Sequence, residues 1–190
     1  MDTSTFDPTR AVVFDLARGH VARDGGGSLV LLPADVLGAA CGQLDATVVR
    51  QLGSALGKQA GSRVRARLGQ GAASLESIVE QLGGELSLSG FGLLSVERWG
   101  QALVVRIEGY PLGGQAQGLL AGYVEGALLA LSEREVTALP LERSPQSLRL
   151  LLCNEDAAAK VKGWLQSGSS WGDALSALQS SRGDAASGRL

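Results

Sequence analysis

The stretch "LGSALGKQAGSRVRARLG", Leu52 to Gly69, reads as a helix carrying Gly53, Gly57 and Gly61 every fourth residue. Beside them Leu52, Leu56, Ala60, Val64 and Leu68 form an apolar stripe with the same repeat, which keeps residues on one helical face. Asp45 supplies an N-cap, and Gly69 stands where a C′ glycine belongs. Arg63, Arg65 and Arg67 suit the negative end of the dipole, so the helix is bounded at Ala46–Leu68. A second stretch, "GLLAGYVEGALLAL" (Gly118–Leu131), repeats the device with Gly118, Gly122 and Gly126. It is apolar nearly all round, as a helix buried on two sides should be. Each interior glycine costs about 1 kcal/mol relative to alanine, and the sum rivals the net stability of a domain. Small residues every fourth position let two backbones approach closely and recover that cost. The two helices are therefore expected to pack against each other within one chain. A dimer interface built from one of them is the second reading, and tolerated glycine richness the third.

Working outward, "AVVFDL" (Ala11–Leu16) and "SLVLLP" (Ser28–Pro33) read as strands around the turn "RDGGGS". Pro33 opens the helix "PADVLGAACGQL". "SLESIVEQLGG" (Ser74–Gly84) reads as a short capped helix ending in two glycines. The period then changes: "ELSLSGFGLLSVERWG" (Glu85–Gly100) and "ALVVRIEGY" (Ala102–Tyr110) read as a hairpin. After the second glycine helix, "EVTALPLERS" and "SLRLLLCN" form another hairpin, with Pro140 marking an edge strand or a bulge. Asn154 caps a helix reaching about Gln166, and "WGDALSALQ" (Trp171–Gln179) is a short final helix. The plan is α+β: a four-stranded antiparallel sheet packed on a helical layer, with an N-terminal strand pair. Expected boundaries are 1–32 for the strand pair, 33–166 for the main domain, 167–180 for the short helix and 181–190 for a disordered tail.

Composition narrows the function. The 190 residues suit one domain. The core must come from Leu, Val and Ala, because 45% of residues are hydrophobic and only 4% aromatic. A net charge of −2 leaves no footprint for nucleic acid. Cys41 and Cys153 are too few for a disulfide framework, "MDTSTFDPTR" is no signal peptide, and no apolar run is long enough for membrane insertion. A cytoplasmic protein is expected.

Catalytic motifs fail on inspection. "GSSWG" (Gly168–Gly172) has the nucleophile-elbow pattern around Ser170, yet a helix precedes it and the lone histidine, His20, lies upstream. "GSALGK" (Gly53–Lys58) lacks the spacing and hydroxyl of a phosphate loop. Two distant cysteines and one histidine supply no metal set. Glu133 and Glu135 read as solvated. Arg63, Arg65 and Arg67 point around the helix, with no interleaved aromatics for nucleic acid. No catalytic residue, metal or cofactor is expected.

The order of elements, with "VVRQLGSALGKQAGSRVRARLG", "GLLAGYVEGALLALSEREVTALPLERS" and "SLRLLLCN", resembles the vinyl-4-reductase domain, related to the small subunits of the TRAPP vesicle-tethering complexes. The likeness runs from about Leu31 to Gly163. It implies an α/β plait that dimerises through its helices, serving either as a small-molecule sensor or as an assembly scaffold. Two features of the family are missing. The zinc-holding cysteine cluster of the sensors is reduced to Cys153, and "RLGQGAASLE" has no cysteine to acylate. The expected function is a non-enzymatic, homodimeric adaptor engaging an unidentified protein partner, with Trp164 and Trp171 as interface anchors. The alternative is a bacterial regulatory receptor for a small apolar ligand held between helices and sheet, with Leu56 and Tyr123 lining the pocket.

Overall fold

Asp45 opens the glycine-marked helix by accepting the Thr47 amide at 2.7 Å, and Gly69 ends it at φ +72°. In the computed structural model, which describes residues 6–23, 27–69, 73–100, 102–144 and 147–178, this helix is α2 (Ala46–Leu68). It follows a hairpin of β1 (Val12–Asp15) and β2 (His20–Arg23), then α1 (Ala34–Gln43). Next come α3 (Leu75–Leu88), β3 (Leu93–Trp99), β4 (Ala102–Glu108) and α4 (Gln117–Ser132). The chain continues through β5 (Thr137–Ser144), β6 (Ser147–Cys153) and α5 (Glu155–Gln166), and residues 171–178 form a last helix, α6. The architecture is α+β, with a four-stranded antiparallel sheet in the order β3-β4-β6-β5 and a separate N-terminal strand pair. Strand β5 is an edge strand whose register slips between Pro140 and Glu142, where a residue without an N–H is tolerated.

The glycines explain how α2 meets α4. A Cβ on Gly53 would lie 2.8 Å from the Leu119 carbonyl carbon, and one on Gly57 2.7 Å from that of Tyr123. On Gly61 it would lie 3.0 Å from the Ala127 carbonyl carbon. From the other side, Gly122 would meet Arg50 at 3.0 Å and Gly126 would meet Ser54 at 2.8 Å, again on backbone atoms. Residue numbers rise together on both helices, so they run parallel. Five of the six glycines are needed for this contact. Gly118 is not, because a Cβ there would meet only the Val49 side chain at 3.6 Å, an ordinary van der Waals distance. Arg50 and Glu125 fasten the pair to the sheet: Arg50 Nε donates to Glu125 at 2.9 Å, and Glu125 accepts the Ala138 amide at 2.8 Å.

One face of the sheet packs Leu94, Val105, Ile107, Leu148 and Leu150 against α3 and α4, forming the main core with Leu86, Leu120 and Tyr123. The other face also carries helices. Val104, Leu151 and Cys153 pack with Val161 of α5 and Leu175 of α6, so the single helical layer is supplemented by a second, smaller one. Trp164 and Trp171 are partly buried against this second cluster.

Two further readings are corrected. The second strand of the N-terminal pair is His20–Arg23, not Ser28–Pro33, because the chain already turns after Asp15, with Gly19 at φ +62°. Ser28 contributes only an isolated bridge to Ala22, and Val30, Leu31 and Leu32 are exposed. Helix α3 does not stop at Gly84; it continues to Leu88, since Glu85 and Leu86 are fully buried in its last turns. Tertiary packing here overrides the helix-breaking tendency of two glycines. The expected tail at 181–190 lies outside the described residues.

Candidate functional site

Glu85 lies in the last turns of α3 with no exposed surface, and three guanidiniums converge on it. Arg63 and Arg67, four residues apart on α2, face Gln81 and Glu85, four apart on α3. Arg63 Nη2 donates to Glu85 Oε2 at 2.9 Å, Arg67 donates to Gln81 Oε1 at 3.2 Å, and Arg67 also pairs with Glu85. The third guanidinium comes from the N-terminal hairpin: Arg23 donates to Glu85 at 2.8 Å and to Ser89 Oγ at 3.0 Å. Burial alone would raise the Glu85 carboxyl. Hydrogen bonds from Arg63 and Arg67, with the charges of Arg63 and Arg23, outweigh it and hold the group below the ordinary glutamate value. Burial lowers the Arg23 value, opposed by Glu85. Phe6 closes this side, its ring packed on Gly84 and 5.2 Å from the Arg67 guanidinium carbon.

Tyr123 of α4 borders the cluster from the core. Its ring meets Phe91 edge-on, with centroids 5.9 Å apart, and it is 1% exposed. Among the described residues its hydroxyl has no hydrogen-bond partner, and neither does the buried Nε of Arg23. Burial, then the Glu85 charge, pushes the phenol well above its ordinary value, while Arg63 and Arg23 pull against them, so the hydroxyl feels the cluster directly. Buried polar groups in native proteins are nearly always paired. Two unpaired buried donors, with three guanidiniums on one carboxylate, make this cluster the candidate site.

A cleft of about 750 Å³ opens where α2, α3 and α4 meet, lined by Arg65, Leu68, Gly69, Ala73, Ile78 and Leu131. Its volume is of the size that takes a small organic ligand. None of Arg23, Arg63, Arg67, Glu85 or Tyr123 lines this cleft, so the cluster and the cleft are separate features.

The residues singled out from sequence distribute as follows. Tyr123 belongs to the candidate site, while Leu56 is half-buried against the main core, and neither lines the cleft. Ser170 caps α6, its Oγ accepting the Asp173 amide at 3.2 Å and donating to the Asp173 carboxylate at 2.6 Å. "GSALGK" is continuous helix within α2. His20 is exposed and sits 2.9 Å from Ser28 Oγ. Glu133 is exposed and pairs with Arg65 at 2.7 Å. Cys41 and Cys153 are buried and not joined in a disulfide, and no three His, Cys, Asp or Glu side chains converge among the described residues. No helix of the described residues is long and apolar enough to cross a membrane.

Sequence reasoning missed Glu85, Arg23 and Phe6. Glu85 was given to a strand and Arg23 to a turn. The available signal was the matched spacing of Arg63 with Arg67 and of Gln81 with Glu85, two pairs able to interlock across neighbouring helices.

No family model matches the chain, and no curated protein matches it. Among solved structures, it is similar to the phenol-responsive sensory domain of the transcription activator PoxR, crystallised with phenol. The TM-score is 0.62 at 16% identity, covering 81% of this chain and 92% of that one. At that identity the likeness is one of fold.

Proposed function

We propose that this chain is a ligand-sensing module for a small, mainly apolar molecule, built on a vinyl-4-reductase-like fold and without catalytic activity of its own. The observation that carries this reading is the unpartnered Tyr123 hydroxyl, buried in an apolar core beside a cluster of charges. Ligand sites pair an apolar body with a few polar groups, and Tyr123 sits between the Phe91-containing core and the charged cluster. The shared fold with a domain solved with phenol supports the same class of ligand. The test is the melting temperature of the full chain in the presence of phenol, toluene and benzoate. A ligand that binds only the native state stabilises it by about 2.7 kcal/mol at one hundred times Kd, and so raises the melting temperature. No shift with any of the three would overturn the sensor reading.

A second reading, the homodimeric adaptor, draws on Val36 and Leu44 near α1 and on Val48 and Leu52 of α2, all exposed. Exposed apolar side chains on adjoining segments suit a protein interface. A monomer by analytical ultracentrifugation at tens of micromolar would remove this reading.

A further inference from the structure

We infer that the N-terminal hairpin of β1 and β2 is a latch: it docks on the last turns of α3 through Arg23 and the preceding Phe6, and it detaches as a unit while the sheet and the α2–α4 pair stay folded. The inference is independent of the sensing reading. Strands β1 and β2 form a sheet separate from the four-stranded one. Among the described residues, the backbone hydrogen bonds of Ala11, Arg18, Gly19, Arg23 and Leu29 outside the strand ladder all end within the same segment. Val13, Phe14 and Leu16 are exposed, as are Val30, Leu31 and Leu32, which lead toward α1. Ala11 is the one buried apolar side chain among the hairpin's described residues, and units with so little burial open locally.

Two side-chain ties land on one spot of α3. The Phe6 ring lies on the Gly84 backbone, where a Cβ would come within 2.6 Å of Phe6 Cδ2, and it sits 5.2 Å from the Arg67 guanidinium carbon. Arg23, at the far end of the hairpin, donates to Glu85 at 2.8 Å and to Ser89 at 3.0 Å. The charge balance makes this second tie releasable. A buried carboxylate stripped of its partner is strongly destabilising, but Glu85 without Arg23 still accepts from Arg63 at 2.9 Å and still pairs with Arg67. Arg23 keeps only 7% of its side-chain exposure and faces the like charges of Arg63 and Arg67. Undocking returns it to water and relieves that repulsion; docking gains the Glu85 bond and the Phe6 packing. Each state has its own favourable contribution, as a two-state element requires. The released state bares Gly84 and the Arg63–Glu85–Arg67 side of α2 and α3.

The experiment is native-state hydrogen exchange of the full chain at pH 7, read by mass spectrometry, in wild type, Arg23→Gln and Phe6→Ala. A lone two-stranded hairpin is marginal in water, so release exposes the β1 and β2 amides. In wild type these amides are expected to be protected, but about a hundredfold less than those of α2 and α4. Each variant should lower their protection about tenfold further and leave α4 within about twofold of wild type. Wild-type hairpin amides as protected as α4 would overturn the latch, because the hairpin would then leave only with global unfolding. Hairpin amides with no protection at all would overturn the docked state. Unchanged hairpin protection in either variant would refute that tie and the latch as drawn. An equal fall in the hairpin and α4 would make the hairpin an integral part of the body, and the latch would fall. Should one variant fail to fold, the other variant and the wild-type comparison decide.

Discussion

Replacing Gly57 with alanine tests the helix pair directly. The new Cβ would stand 2.7 Å from the Tyr123 carbonyl carbon and 2.9 Å from the Ala127 amide nitrogen, and closer still to the Tyr123 oxygen. Carbon atoms in contact prefer about 3.5–4.0 Å, so α2 and α4 must part by roughly an ångström. Every obstacle is backbone, and none can swing aside as a side chain would. Overpacking of this kind costs about 1–3 kcal/mol and sometimes more, while alanine returns about 1 kcal/mol of helix propensity. With the obstacles rigid, the cost belongs at or above the top of that range, leaving a net loss of about 2 kcal/mol. For a chain of this size that lowers Tm by about 4–8 °C. The control is Gly163→Ala on α5, where a Cβ would meet nothing within 4 Å. There the propensity gain stands alone, up to about 1 kcal/mol of stabilisation. Urea unfolding of both variants, read by circular dichroism, makes the comparison. A Gly57→Ala protein as stable as Gly163→Ala would refute backbone contact between α2 and α4, and with it the fold described here.

Three other outcomes are expected. Glu85→Gln breaks a fully buried ionic cluster and should cost about 3–5 kcal/mol at pH 7. Because the folded Glu85 value lies below the ordinary 4.5, its contribution is present above that pH and is lost as pH falls through the folded value. The gap between wild type and variant should therefore close under acid, and a gap constant from pH 7 to pH 3 would contradict the assignment. Tyr123→Phe removes a hydroxyl with no partner, so unfolding stability should change by less than about 1 kcal/mol or rise. A loss of 2 kcal/mol or more would reveal a hidden partner. Gly84→Ala would place a Cβ 2.6 Å from Phe6 Cδ2, and Phe6, being a side chain, can leave. Limited trypsin digestion should then cut near the N-terminal hairpin while α2–α4 resist, and unchanged digestion would show that Phe6 does not hold that arm.

The fold was legible in this chain largely because its decisive contact is written in one residue type. A glycine every fourth position costs helix propensity in either helix alone, so two such runs point at each other before any coordinate is known. Asp45, Gly69, Asn154 and Pro140 were equally readable, since each acts through its own backbone: a cap, a left-handed terminus, another cap, an edge. The errors share one cause. Gly83 and Gly84 look like a helix end, and only the burial of Glu85 and Leu86, a property of distant partners, carries α3 past them. The hairpin was misplaced for a similar reason, because a turn after Asp15 competes with the glycine-rich turn at 23–28 and neither has a decisive local signal.

The site was far less legible, and its physics says why. Arg23 and Glu85 are 62 residues apart, and each is unremarkable in its own segment. Their meaning arises only when a hairpin outside the glycine-helix pair delivers a charge into it. Arg63 and Arg67 look like dipole-favouring residues at a helix end, and they serve that role too. What singles this cluster out is the pair of buried donors left without a partner among the described residues. A purely structural cluster would gain from removing the tyrosine hydroxyl, as a phenylalanine at position 123 would, since an unmet buried donor costs about 1–3 kcal/mol. A chain that retains the hydroxyl carries that cost in its folded state, and the stability of Tyr123→Phe against wild type measures it directly.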